Sequence, residues 1–168
     1  MSEIWDLYDE HRHIIGTHVR GQELPADGYH LVVHVWIKNS QNLYLISQRS
    51  SSRKTFPLMW ECVGGSVLKG ENSLQGALRE AKEEVGIDLP ADKGKLLFSE
   101  VRKSVDGKKF NDILDVYLFE YDGDIDLNKA TTDEVAQTTW LSKNEIAKLY
   151  NEQKMVWTLR YFFTKVVK

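Results

Sequence analysis

The segment from Gly65 to Ile87, GSVLKGENSLQGALREAKEEVGI, constrains this chain more than any other. Asn72 is a good helix N-cap, and Gln75, three residues on, can reach back to it in a variant of the capping box. Leu74, Ala77, Leu78, Ala81 and Val85 recur at helical spacing, so they form one apolar stripe that must dock on a core. Gly86 supplies the left-handed residue that ends the helix. Glu80, Glu83 and Glu84 stand at i, i+3 and i+4 and gather on a neighbouring face. Glu71 lies on the glycine-rich loop that leads in from Gly64 and Gly65.

Isolated, an EAKEE segment reads as a solvated helix face. Glycines before it, Glu71 at its entrance and Arg79 placed to fix a carboxylate argue otherwise. Like charges at this spacing repel by about 0.2–0.5 kcal/mol per pair unless a cation neutralises them. An oxygen-only donor set without histidine or cysteine suits Mg²⁺ or Mn²⁺ rather than zinc. Such a site is suited to a phosphate-bearing small molecule.

The chain of 168 residues fits a single domain, 1–168, with an ordinary core. A net charge of −3 gives no global basic field, so a nucleic acid polymer is not an expected partner. The lone cysteine, Cys62, rules out an internal disulfide framework and fits a reducing, cytoplasmic setting. The acidic N-terminus MSEIWDLYDEHR lacks a signal-peptide pattern, and the longest apolar run is too short to span a bilayer, so no membrane role is expected.

Ile4–Tyr8 and His13–Val19 read as an N-terminal hairpin, an extension over about residues 1–20 and a plausible homodimer contact. Leu31–Ile37 (LVVHVWI) is nearly continuous and β-branched, as a strand buried on both faces should be. Leu43–Gln48, Leu96–Arg102, Ile113–Tyr121 and Thr138–Leu141 complete the strands, with Asp106-Gly107 as a hairpin turn. Lys103–Asn111 is expected as a loop whose side chains choose the leaving group. Ser142 caps a helix over Lys143–Tyr150, and Glu152–Val167 carries Val156, Leu159, Phe163 and Val166 at the spacing of an amphipathic helix. This order predicts an α/β (α+β) fold with a mixed β-sheet sandwiched between helices.

The helical segment resembles the Nudix box, Gly-x5-Glu-x7-Arg-Glu-U-x-Glu-Glu-x-Gly-U with U aliphatic. Gly65, Glu71, Arg79, Glu80, Glu83, Glu84, Gly86 and Ile87 fill its fixed positions, and Ala81 is small for a U position. The resemblance implies a Nudix fold and metal-dependent hydrolysis of a nucleoside diphosphate linked to another moiety. It implies Glu83 and Glu84 as principal metal ligands, Glu80 as a ligand or water-orienting group, Glu71 in support and the Gly64 carbonyl as a further ligand. Arg79 would hold a box glutamate. The general base is open among Glu80, Asp112 and Glu134.

The first 90 or so residues also resemble the branch related to isopentenyl-diphosphate isomerase, in which Arg49 and Lys54 would match basic residues that hold the substrate diphosphate. The isomerase cysteine would stand at Gly64, however, while Cys62 reads as a core thiol. Ser66 occupies the place of a metal histidine and Phe110 that of an acid, with only His30 and Asp112 retained. Hydrolysis is therefore expected. An isoprenoid-diphosphate isomerase or hydrolase and a non-catalytic ligand sensor are the alternatives. His30 and His34 lie about 13 Å apart along a strand, too far to share one metal, and read as packed or hydrogen-bonded. The tryptophans (Trp5, Trp36, Trp60, Trp140, Trp157) read mainly as core.

Overall fold

The apolar run expected to be buried on both faces is the middle of the sheet. In the computed structural model, which describes residues 1–167, it forms β3 (His30–Lys38). Leu31, Val33, Val35 and Ile37 join one core cluster and Trp36 the other, so the period-two alternation separates two apolar layers. Along one edge β3 runs parallel to β8 (Lys108–Glu120), in register from His30↔Asp112 to Lys38↔Glu120. Its other edge pairs antiparallel with β6 (Val63–Ser66), which puts His34 opposite Gly64.

Beyond β3, β4 (Tyr44–Arg49) pairs with β5 (Trp60–Glu61) and with β9 (Val135–Leu141). At the other side β7 (Lys95–Val105) pairs antiparallel with β8, completing a seven-stranded mixed sheet. A separate ribbon of β1 (Ile4–Tyr8) and β2 (Ile14–Val19) joins the body through the Tyr8↔Tyr29 bridge.

Helix α1 (Ser73–Val85) covers one sheet face as its stripe demands, with Ala77, Ala81 and Val85 fully buried. The Asn72 side chain accepts from the Gln75 N–H while the Gln75 side chain accepts from that of Asn72, and Gly86 ends the helix at φ 73°. Helix α2 (Lys143–Asn151), with a capping box between Ser142 and Glu145, and the C-terminal segment cover the opposite face. The sheet is thus sandwiched between helices, as expected. Among the described residues no helix is long and apolar enough to cross a membrane.

Three expectations are corrected. Gly64 and Gly65 are not in a loop. They are mid-strand in β6, and the loop carrying Glu71 begins after it. Lys103–Asn111 is mostly strand, with only Asp106-Gly107 turning between β7 and β8.

Glu152–Val167 is not one amphipathic α-helix. Gln153 takes a left-handed φ of 57°, and the chain then runs beside β5. There the Trp60 N–H donates to the Lys154 carbonyl and the Val156 N–H to that of Trp60. The open edge of β5 needs these partners, so helical winding starts late, as a 3₁₀ turn over Trp157–Tyr161 and a π turn over Phe162–Val166. That tight-then-wide winding buries Phe162 fully instead of Phe163, beside Val156, Leu159 and Val166.

Candidate active site

Docking α1 against β6 brings Glu80, Glu83 and Glu84 to a cavity of about 390 Å³. Its other walls include Gly64–Ser66, His30 and His34, Arg102 with Phe110 and Asp112, and Arg53 with Glu134. The glycines make the approach possible. A Cβ on Gly65 would fall 2.3 Å from Glu80 Oε1, and one on Gly64 would fall 2.5 Å from the Val33 carbonyl oxygen. No side chain fits at either position without moving the helix carboxylate or the neighbouring strand.

Arg79 organises the acidic face. Its Nε donates to Glu71 Oε1 at 2.8 Å and its Nη2 to the Ser66 carbonyl at 2.8 Å. Its Nη1 lies 2.9 Å from both Glu80 Oε1 and Glu83 Oε2. Glu71 also accepts the Leu68 N–H at 3.0 Å, so one guanidinium ties the loop, the strand end and the helix together. Burial works against the charge of Arg79, but Glu71 and Glu80 outweigh it and hold the guanidinium protonated.

Glu84 is different. It is 5% exposed, and its one hydrogen bond among the described residues comes from the Gly64 N–H at 3.2 Å. Burial, with Glu61 and Glu80 adding repulsion, pushes its carboxyl well above the usual range. Burial likewise pushes Glu80 up to about 7 against the pull of Arg79. Glu61 on β5 is raised by burial too, although Arg49 Nη1 donates to it at 2.6 Å. Of these carboxylates, buried Glu80 and partly buried Glu61 each bond an arginine that also serves other partners, while buried Glu84 bonds none. The donors are all hard oxygen, which fits a divalent cation of the Mg²⁺ or Mn²⁺ kind. Among the described residues no three acidic, histidine or cysteine side chains are already drawn around one ion-sized point.

The remaining sequence-derived candidates divide. Glu134 lies at the cavity wall, paired with Arg53 at 2.5 Å. Asp112 is held bidentately by Arg102, both bonds 2.7 Å, so each of its oxygens already accepts one charge-assisted bond. Arg49 is turned onto Glu61 and the Thr55 carbonyl, while Lys54 is exposed and is not among the residues around the cavity. Sequence reasoning passed over Glu61, Arg53 and Arg102. The pairing of Arg102 with Asp112 had a legible trace in the hairpin, since the Asp106-Gly107 turn sets their strands side by side.

The comparisons with known proteins agree with this geometry. The NUDIX domain family model matches residues 28–165. A Nudix hydrolase of Listeria monocytogenes is 35% identical over 167 residues, covering 96% of this chain and 90% of that protein. Among solved structures, DR0079 of Deinococcus radiodurans aligns with a TM-score of 0.74 at 22% identity, covering 92% of each chain. A bifunctional NMN adenylyltransferase/ADP ribose pyrophosphatase of Francisella tularensis, complexed with AMP and a manganese ion, aligns at TM-score 0.59 and 21% identity over 88% of this chain and 42% of that one. A chain with this sheet, this glycine-backed acidic helix and these relatives belongs to the Nudix family and is a hydrolase acting on pyrophosphate bonds.

Proposed function

We propose that the chain is a divalent-metal-dependent pyrophosphohydrolase whose substrate is a nucleoside diphosphate linked to another moiety. The observation that carries this reading is the excess of carboxylate at buried Glu84 and Glu80 beside partly buried Glu61, because an apo site with this imbalance is stabilised by a cation. Glu83 and Glu84 are the principal ligands, Glu80 ligates or orients water, and the Gly64 carbonyl and Glu71 support the set. A bound cation would neutralise phosphate oxygens and lower the pKa of bound water. Arg79 keeps the helix carboxylates in position through the bonds described above. Of the base candidates, Glu80 suits the role best. Glu80 also accepts from Arg79, yet burial pushes it up to about 7, close to neutrality, whereas Arg102 grips Asp112 on both oxygens and Glu134 is paired with Arg53. The AMP and manganese bound by the Francisella protein support the same ligand class.

The isomerase alternative has little to recommend it, since Cys62 is sealed in the core and burial pushes its thiol far up. The test is hydrolysis of a panel of nucleoside diphosphate derivatives and isoprenoid diphosphates with Mg²⁺ or Mn²⁺ and with chelator. Metal-dependent cleavage of a nucleotide member is the expected result. Binding without cleavage of any member would replace this reading with a ligand sensor.

A further inference from the structure

Behind the acidic helix lies a buried polar contact that the hydrolytic scheme leaves unused. His34 Nδ1 is 2.7 Å from the Tyr161 hydroxyl, and Trp36 Nε1 donates to the same oxygen at 3.1 Å. An indole nitrogen can only donate, so it uses one lone pair of the tyrosine oxygen. Burial raises the Tyr161 hydroxyl well above its ordinary range, so it keeps its proton and needs an acceptor for it. The two acceptors within reach are the His34 ring and the Cys62 thiol, and sulfur is the weak one.

Placing the imidazole proton on Nδ1 would give the tyrosine oxygen two incoming donors and leave its own proton to sulfur. Placing it on Nε2 gives the tyrosine proton its strong acceptor at Nδ1 and leaves only the Nε2–H to be met from the cavity. We propose that Tyr161 fixes His34 in the Nε2–H tautomer, so that His34 offers the active-site cavity a neutral N–H for a non-bridging oxygen of the bound diphosphate. Nε2 has no protein partner, and it is open to that cavity. Among the described residues the sealed and unpartnered side-chain nitrogens are Trp5 Nε1 and His30 Nδ1, not this one.

Strand pairing sets the ring where it is useful. His34 stands opposite Gly64, whose N–H binds Glu84, and a Cβ on Gly64 would lie 3.1 Å from His34 Cδ2. His34 and the helix carboxylates expected to hold the metal thus line one cavity. A neutral donor in that cavity can bind a phosphate oxygen without competing with the cation for the carboxylates, as a lysine or arginine would. Tyr161 acts as a positioning residue, one step removed from substrate.

The proposal rests on the pyrophosphohydrolase reading, and its test separates the two. The full chain labelled with ¹⁵N-histidine is observed at pH 7.5 and titrated with magnesium and α,β-methylene ADP, with binding followed in parallel by calorimetry. His34 should show a protonated Nε2 and a bare Nδ1, and its Nε2–H resonance should move on binding. His34→Phe should weaken the analogue about tenfold or more, the loss of one hydrogen bond to a charged group. His34→Gln, which keeps an N–H donor, should recover most of that, and Tyr161→Phe should blur the single tautomer. A protonated Nδ1, or an unmoved Nε2–H while the analogue binds, overturns this proposal alone. Failure of the analogue to bind overturns both readings. The wild-type spectrum decides the matter even if a variant folds poorly.

Discussion

Two regions of this molecule bury acid, and they do it differently. On β8, Asp112 and Asp115 each have a dedicated arginine. Arg102 grips Asp112 with both partners almost wholly buried, and Arg12 from the β1–β2 turn grips Asp115, which also accepts from Ser99 at 2.6 Å. In the other region Glu61 and Glu80 each bond an arginine that is divided among other acceptors, and Glu84 has no arginine at all. The matched pairs lower the energy of the folded chain only relative to a broken pair. The unmatched set is a cost in the apo fold, tolerable where a cation completes it. On the proposed reading, surplus carboxylate, rather than buried charge as such, distinguishes the metal-binding acids from the structural ones.

The comparison can be broken most sharply at Glu84. Glu84→Gln should lower turnover by at least about 10³-fold if it removes a metal ligand as proposed, yet leave the metal-free melting temperature unchanged or raised. Steady-state kinetics and a thermal melt in chelator check both halves. A variant that loses stability and activity together would place Glu84 with the structural acids. The opposite behaviour is expected at Asp112→Ala. Stranding the buried Arg102 should cost roughly 3 kcal/mol or more, read by urea denaturation, and added Mg²⁺ should not restore it.

Acidity sharpens the contrast without mutation. Glu80 has a folded value of about 7 against an ordinary value of 4.5, so between those limits the native state binds more protons than the unfolded one. Metal-free stability should therefore be greatest below about pH 4.5 as far as this group is concerned. It should fall by on the order of 2 kcal/mol as pH rises through 7. Saturating Mg²⁺ should flatten that decline. Asp115 works the other way. Burial opposes its charge, but the bonds from Arg12, Ser73 and Ser99 prevail and hold it below the usual carboxylate range. Its contribution is present at neutral pH and disappears only as pH falls through that lowered value. Denaturant titrations from pH 4 to 8, with and without metal, and repeated on Glu80→Gln, resolve the two slopes.

Local patterns made one wall of the site legible, and non-local partners hid the other. The stripe, cap and stop of α1 are all written within the helix and its flanks, so Arg79, Glu80, Glu83 and Glu84 could be placed on neighbouring faces from spacing alone. Glu61 could not, because its strand has two residues and owes its existence to β4 on one side and the chain at Lys154–Val156 on the other. The C-terminal segment misled for the same reason. Its apolar spacing is helical, but edge pairing with Trp60 and the left-handed Gln153 override the propensity. At Arg102 a single residue matters. Counting back from Val105↔Lys108 without interruption pairs it with Asn111, and only the register shift between Arg102 and Ser104 delivers Asp112.

Arg53 tests where the boundary between the two kinds of charge runs. It forms a one-to-one pair with Glu134, which by count belongs with the matched aspartates, yet the pair stands at the cavity wall. Both side chains keep about a quarter of their surface or more in water, at 24% and 30% exposure, so the pair itself should add less than about 1 kcal/mol to stability. Arg53→Met should therefore leave the melt nearly unchanged. If the guanidinium also meets the substrate, the same variant should raise KM several-fold with kcat altered less, because a binding contact common to ground and transition states has been removed. An unchanged KM would make Arg53 a tether for Glu134 alone. A fall in kcat at constant KM would instead mean that freeing Glu134 disturbs the chemistry, and would return that carboxylate to contention as the base.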